Sequence, residues 1–444
     1  MAAISKNKKY QYFFFLIITF YSIFNGGNSN LLIQINFLLI SLFFIFCLKD
    51  KNYNLHFRYF FNQNKFSIYL YLLFLVYLLF QILPLPINSL KFFSPEKFYF
   101  LNLLNNEISF SSISLAPSNT FFQFLNFCSL LIVVFILKMI FYRERHKQRF
   151  YLFLSIIGFL SACFGTLLYL TGSTDLLSFK SFNSGVSTGF FVSRTVFSIF
   201  LLFCFISSLE YLKRSQISER NFFSRAYVRL FIIFITIGII TSFSRIGNFL
   251  LLNVVLFYLL NEFFLKKQNS NLFRNVILII VFVDIVVLGL YFGSFRIVER
   301  FLFLKNEFSE ITNPDVNLMR FQIIKFSLNQ IYNYLIFGYG AGGFETMFQL
   351  SFPNLSNSFA NHAHSDLIEF IGEVGLLGFV LFFMSIFIFL KKSINYNFKN
   401  LLLIFCMLII LLFDFSLHIP FIQFLFVCFF VLNQKFIKLS KSGF

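Results

Sequence analysis

Twelve apolar runs divide this chain, and they leave little choice of fold. They lie near residues 10–25, 31–48, 66–83, 120–141, 150–170, 190–212, 229–243, 247–265, 276–293, 367–390, 401–414 and 420–434. A membrane-spanning helix needs about 20 apolar residues. The pattern therefore predicts an all-α fold, a polytopic transmembrane helix bundle of about 12 spans. Only 12% of the residues are charged, against roughly a quarter in soluble domains, which excludes a soluble enzyme.

Basic residues are concentrated in every second connection between these runs. Of the 36 lysines and arginines, 26 fall on the side of the two termini and ten on the opposite side. Basic residues favour the cytoplasmic side of a membrane, so both termini are predicted to be cytoplasmic. The net charge of +18 is thereby explained by topology, and we expect no nucleic-acid partner.

Two long connections fall on the outer side, which in a bacterium is the periplasm. We predict that residues 1–444 form a single integral membrane domain in which residues 84–119 are the first outer loop. Residues 294–365 would be a large periplasmic loop between spans 9 and 10. The stretch NLMRFQIIKFSLNQIY in this loop has apolar residues at helical spacing. We therefore expect residues 294–365, here called the cap, to be partly helical.

Arginines on the outer side need an explanation, because topology should deplete them there. Arg194 and Arg245 stand at span ends in FFVSRTVFS and TSFSRIGNF, and Arg320 lies in the cap. Guanidinium groups can reach lipid phosphates by snorkelling. The alternative is a cluster that binds a phosphorylated lipid, since the planar guanidinium suits phosphate oxygens.

The densest polar segment is ANHAHSDLIEFIGEVGLLG at 360–378, where the cap meets the next span. His362 and His364 can accept a proton near neutral pH. Asp366, Glu369 and Glu373 follow at spacings that place all three on one helix face. The segment thus has the groups of an acid–base site, although a solvated start of an interfacial helix is the simpler alternative.

The start of this helix permits two further expectations. The side chain of Ser365 or Asp366 is expected to cap it. A His-x-His pair beside carboxylates can also bind zinc, but we predict no metal, because His418 is the only further histidine on the outer side. Asp414 and His418, in LLFDFSLHIPF, lie at the last outer turn, as a polar hairpin tip or in a supporting role.

Several nucleotide and metal motifs are absent from the sequence. No two acidic residues are two positions apart, and there is no P-loop, GxGxxG or HExxH. The six cysteines lie singly in apolar runs without a disulfide or metal pattern. We therefore expect no cofactor, and arginine would have to neutralise a bound diphosphate.

The polar segment resembles a known family. HSDLIEFIGEVGLLG is similar to the H-[NSQ]-x9-G-x-x-[GTY] pattern of bacterial O-antigen ligases, and HAHSD to the HAHND string of the O-antigen ligase/polymerase superfamily. LPLPINSLKFFSP, SLAPSNT, FFVSRTVFS, SFSRIGN and DFSLHIP are similar to further strings of one branch. Together these strings cover about 80–420, nearly the whole chain.

The resemblance implies a metal-independent glycosyltransferase of the inner membrane that uses an undecaprenyl-diphosphate-linked glycan donor at its periplasmic face. His364 matches the general base, and Arg194, Arg245 and Arg320 match arginines that hold the diphosphate. His362, Asp366, Glu373, Asp414 and His418 would support them. The chain departs from the branch pattern at Ser193 and Thr195, where asparagines flank the arginine, and at Ile246, where a glycine is usual.

Three alternatives remain open from the sequence. A ligase passes the glycan to lipid A core, as in lipopolysaccharide assembly, whereas a polymerase passes it to the next lipid-linked repeat. A small-anion transporter would need polar residues spread through the membrane, and Asp284 is an isolated intramembrane carboxylate. A non-catalytic assembly partner would tolerate the loss of His364 or Arg245.

Overall fold

The computed structural model describes residues 2–103, 109–172, 175–176, 179–180, 185–215, 222–264, 320–352, 360–394 and 398–434. The helices of these ranges are α1 (Ala2–Ile23), α2 (Asn30–Leu48), α3 (Lys51–Gln63), α4 (Lys65–Ile82), α5 (Ile87–Phe93), α6 (Pro95–Leu103), α7 (Pro117–Ile140), α8 (Glu144–Thr171), α9 (Arg194–Ser215), α10 (Phe222–Thr241), α11 (Arg245–Phe264), α12 (Arg320–Asn333), α13 (Phe344–Ser351), α14 (Asp366–Ile394), α15 (Phe398–Phe413) and α16 (Pro420–Asn433). Two antiparallel pairs of two-residue strands accompany them, β1 (Leu85–Pro86) with β2 (Phe110–Ser111) and β3 (Asp175–Leu176) with β4 (Phe179–Lys180).

Eleven of the twelve apolar runs coincide with helices. The remaining run, near 276–293 with Asp284, lies outside the described residues. Within the described part, seven helices are long and apolar enough to cross a membrane, and α11, α15 and α16 contain shorter apolar segments. The prediction of an all-α polytopic bundle is confirmed.

The helices form two compact groups, one with α1 and α8–α11 and the other with α2–α7 and α12–α16. In the first group α9 is buried along nearly its whole length. Small residues let α8 approach it, and the Ser208 hydroxyl donates to Ser155 Oγ of α8 at 3.0 Å.

Phenylalanine rings hold the second group together. The ring of Phe382 in α14 lies 5.0 Å from Phe74 in α4, 5.4 Å from Phe127 in α7 and 5.1 Å from Phe370. Tilted and edge-to-face pairs of this kind contribute about 0.5–1.5 kcal/mol each beyond the burial of apolar area. They fix α14 against α4 and α7 below the polar segment.

The described part of the cap is partly helical, as predicted. Helices α12 and α13 pack around an apolar core that includes Ile323, Tyr339, Phe344 and Met347. Between them, the chain hydrogen-bonds to α14 through its backbone: Tyr339 N donates to Gly372 O at 3.0 Å and Leu376 N to Leu335 O at 2.8 Å. This part of the cap is therefore attached directly to the helix that carries the polar segment.

Helix α14 admits this attachment because it is interrupted at Gly375. The φ of Gly375 is 63° and its ψ is 177°, so the regular helical hydrogen bonds are broken there. Two α4 side chains satisfy the freed carbonyls: the Tyr77 hydroxyl lies 2.9 Å from Val374 O, and Gln81 Nε2 donates to Glu373 O at 3.1 Å. Both side chains also reach Phe337 O in the cap, at 2.7 and 2.8 Å.

The substitution Gly375→Ala should destabilise the protein. An added Cβ would lie 2.3 Å from Ile336 O, and the φ of Gly375 is in the left-handed region. We therefore expect the free energy of unfolding to fall by about 1–3 kcal/mol. Thermal unfolding of the purified protein in detergent measures it. Gly185→Ala is the control, because an added Cβ there meets nothing within 4 Å. Equal unfolding temperatures for the two variants would contradict the role of Gly375.

Removal of the Tyr77 hydroxyl should also lower stability. Tyr77→Phe leaves the buried Val374 carbonyl without this donor, at a cost of about 1–3 kcal/mol. Tyr69→Phe on the same helix is the matched control, because the Tyr69 side chain is 51% exposed. The prediction fails if both variants unfold at the same temperature as the unsubstituted protein.

Candidate active site

The polar segment at the start of α14 is folded against the turn between α15 and α16. Asp366 N donates to Asp414 O at 2.9 Å, and the Ser365 hydroxyl donates to Leu411 O at 3.2 Å. The Asp366 carboxylate accepts from Leu417 N at 2.8 Å. The expectation that Ser365 or Asp366 caps α14 is therefore wrong, because both side chains bond to residues 411–418 instead.

His418 lies at the centre of three carboxylates. Its Nδ1 hydrogen-bonds to Asp366 Oδ1, and its Nε2 lies 3.4 Å from Glu369 Oε1 and 3.6 Å from Glu373 Oε2. Burial opposes a charge on His418, but the carboxylates of Glu369 and Asp366 outweigh it and raise its pKa well above the usual value. The three acidic residues share one helix face, as their spacing predicts.

Glu369 connects the two ends of this cluster. His362 Nδ1 lies 3.0 Å from Glu369 Oε1, and Ala363 N donates to Oε2 at 2.7 Å. The His362 ring stacks on Phe415 with centroids 4.7 Å apart and an angle of 9°. The sequence analysis places Glu369 on the face of Asp366 and Glu373 but assigns it no role, whereas in the structure it is the carboxylate that contacts His362, Ala363 and His418.

His364 has a different environment from its neighbour. Its φ is 58°, and its ring meets Phe415 edge-on at 5.5 Å. Among the described residues, its buried Nδ1 has no hydrogen-bond partner. Burial, Arg320 and His362 lower the pKa of His364 to about 4. The imidazole is therefore neutral near pH 7 and has a ring nitrogen that can accept a proton.

Arg320 is the predicted arginine that belongs to the same helical group as His364. It is exposed and begins α12, and its charge acts on both His364 and Asp414. Burial and Asp366 raise the pKa of Asp414 to about 6, although Ser416 and Arg320 act in the opposite direction. The structure thus brings Arg320 into the electrostatic neighbourhood of the candidate base.

Arg194 and Arg245 lie in the other helical group and begin α9 and α11. The starts of these two helices are neighbours, because a Cβ added to Gly247 would lie 2.2 Å from Ser198 Oγ. All three predicted arginines are therefore first residues of helices, where free backbone N–H groups and the helix dipole favour an anion. The grouping of all three around one diphosphate with His364 stays a prediction.

The candidate site thus consists of a neutral imidazole, a nearby guanidinium group and a buried cluster of carboxylates and imidazoles. His362, Glu369 and His418 also offer ligand atoms within 4.8 Å of one another that could hold a metal ion. The fold and this site define a polytopic helical membrane protein whose acid–base groups gather at the start of one span.

Residues 230–383 match the family model for O-antigen ligase. The match covers about a third of the chain and supports the resemblance to the O-antigen ligase/polymerase superfamily drawn from the sequence. It includes Arg245, Arg320 and His364, and it indicates a bacterial membrane enzyme of the glycosyltransferase type with lipid-linked glycan substrates. No curated protein matches the chain.

Removal of the Glu369 charge should loosen the cluster. In Glu369→Gln, the single amide oxygen can accept from Ala363 N or from His362 but replaces two carboxylate oxygens. His418 also loses a charged buried partner. We therefore expect the free energy of unfolding to fall by about 3 kcal/mol. Thermal unfolding checks this against Glu345→Gln, a control in α13 whose side chain is exposed. An unchanged unfolding temperature for Glu369→Gln would show that the cluster does not depend on this carboxylate.

Proposed function

We propose that this protein transfers a glycan from undecaprenyl diphosphate to an acceptor hydroxyl at the periplasmic face of the bacterial inner membrane, as an O-antigen ligase does. The observation that carries the proposal is the imidazole of His364, inside the segment that matches the family. Its Nδ1 has no hydrogen-bond partner in the described part of the chain, and burial and the charge of Arg320 lower its pKa. In this topology both termini are cytoplasmic and the start of α14 faces the periplasm.

His364 acts as the general base in this proposal. The acceptor hydroxyl donates its proton to the imidazole while its oxygen attacks the anomeric carbon of the donor glycan. The bond between that carbon and the diphosphate oxygen breaks, and the lipid diphosphate leaves with the electron pair. Displacement in one step inverts the anomeric centre. A positioned base contributes about 100- to 10,000-fold to such a rate.

In this proposal arginine side chains, and not a metal ion, neutralise the charge of the leaving diphosphate. Arg194, Arg245 and Arg320 each begin a helix, so each site adds backbone N–H groups to the guanidinium. A hydrogen bond to a charged group contributes about 1.5–3 kcal/mol, and several together would stabilise the departing charge. Asp366 or Glu373 orients the histidine or binds sugar hydroxyls in this proposal. His362, Asp414 and His418 support the reaction by holding the segment of His364.

The same site would serve a polymerase. In that alternative the acceptor is the next lipid-linked repeat instead of lipid A core, and the donor and base keep their roles. Product analysis of a deletion strain distinguishes the two. Loss of all polymer from lipopolysaccharide indicates a ligase, whereas retention of single repeats on lipid A core indicates a polymerase.

Substitution of His364 tests the proposed reaction. We expect His364→Ala to slow transfer at least 100-fold in liposomes that contain lipid-linked repeats and acceptor, because the base is lost. His56→Ala, a histidine of α3 outside the site, should transfer at the normal rate. Transfer by His364→Ala within tenfold of normal, with the fold intact, would exclude His364 as the base.

A further inference from the structure

We propose that His362, Glu369 and His418, with Glu373 as a further ligand, form a binding site for a divalent transition-metal ion, and that Zn²⁺ suits it best. The sequence analysis predicts no metal here, because His418 is the only further histidine on the outer side. In the structure this histidine meets His362 and Glu369. None of its ligands is an arginine proposed to hold the diphosphate, and the argument for it does not depend on glycan transfer.

The distances fit a tetrahedral ion. Glu369 Oε1 lies 3.0 Å from His362 Nδ1 and 3.4 Å from His418 Nε2, and all three ligand atoms lie within 4.8 Å of one another. Two ligands of tetrahedral zinc at about 2.0–2.1 Å from the ion are separated by roughly 3.3 Å. The two separations that involve Glu369 lie on either side of this value.

The ligand types also fit zinc. Two imidazole nitrogens and one glutamate oxygen form a set that zinc binds in proteins, with a fourth position left for another group. Glu373 can fill that position, because its Oε2 lies 3.6 Å from His418 Nε2. Within the described part of the chain, the other oxygen of Glu373 is buried and has no hydrogen-bond partner. This oxygen is therefore available to a ligand bound in the cluster.

Neighbouring groups orient the ligands as second-layer groups do in metal sites. Asp366 accepts from His418 Nδ1, which leaves Nε2 with a lone pair for the ion, in the carboxylate–histidine–zinc arrangement. Ala363 N holds Glu369 Oε2 at 2.7 Å and so directs Oε1 towards the imidazoles. Stacking on Phe415 fixes the plane of the His362 ring.

Charge in the cluster favours a cation. The carboxylates of Asp366, Glu369 and Glu373 are 1%, 1% and 3% exposed, and two imidazoles face them. Burial opposes the charge of a carboxylate, and a cation among the three would offset that cost. A divalent ion would join the end of the cap at His362 to α14 and to the turn at His418.

Zinc binding by the purified full-length protein tests the proposal. The protein is prepared in detergent without a histidine tag, stripped with chelator and titrated with Zn²⁺, and bound zinc is measured by elemental analysis. We expect one zinc per chain and a higher unfolding temperature with Zn²⁺. His418→Gln and His362→Asn should weaken binding at least about 100-fold, and Asp366→Asn, which removes only the orienting group, about 10- to 100-fold. His56→Ala should bind as the unsubstituted protein does.

Two results would overturn the proposal. One is stripped, folded protein that takes up no stoichiometric zinc, and this result needs no variant. The other is zinc uptake that is unchanged in both His362→Asn and His418→Gln. Because binding is read without a transfer assay, its failure is distinguishable from failure of the proposed function. A protein that binds zinc but does not transfer glycan would contradict only the latter.

Discussion

The contact between the carboxylates of α14 and the imidazole of His418 is the interaction on which the site depends. Asp366, Glu369 and Glu373 are all buried, and a buried carboxylate is tolerated only when it is paired. His418 meets all three, so the last outer turn has to pack against the start of α14. That packing, together with Glu369, also places His362 and the segment that presents His364.

The interruption of α14 at Gly375 allows the cap to attach to this helix. An unbroken α14 would offer no free backbone groups, and the cap could then attach only through side chains. The break exposes carbonyls that Tyr77 and Gln81 satisfy from α4, and it opens the edge to which Tyr339 and Leu335 bond. One glycine thereby links α4, α14 and the cap within a single hydrogen-bonded unit.

The sequence predicted the parts of this structure that depend on local pattern. Apolar runs gave the helices, and the spacing of Asp366, Glu369 and Glu373 gave their common face. The helical cap was also predicted correctly. The capping of α14 was predicted wrongly, because local preference assigns Asp366 to its own backbone, whereas the fold offers it Leu417 N and His418. The meeting of His362 with His418, 56 residues apart in number, depends on tertiary packing and has no local signal.

The cap is attached to α14 through backbone hydrogen bonds, and this affects which sequence variation the contact tolerates. Main-chain amides and carbonyls make the bonds between residues 335–340 and α14, and nearly every amino acid supplies the same two groups. Proline at a donor position would abolish one of these bonds. Gly338, Gly340 and Gly375 have positive φ, and an added Cβ at each would lie within 2.3 Å of a neighbouring atom. We therefore expect sequence variation in this seam to be tolerated at most other positions and restricted at these three glycines.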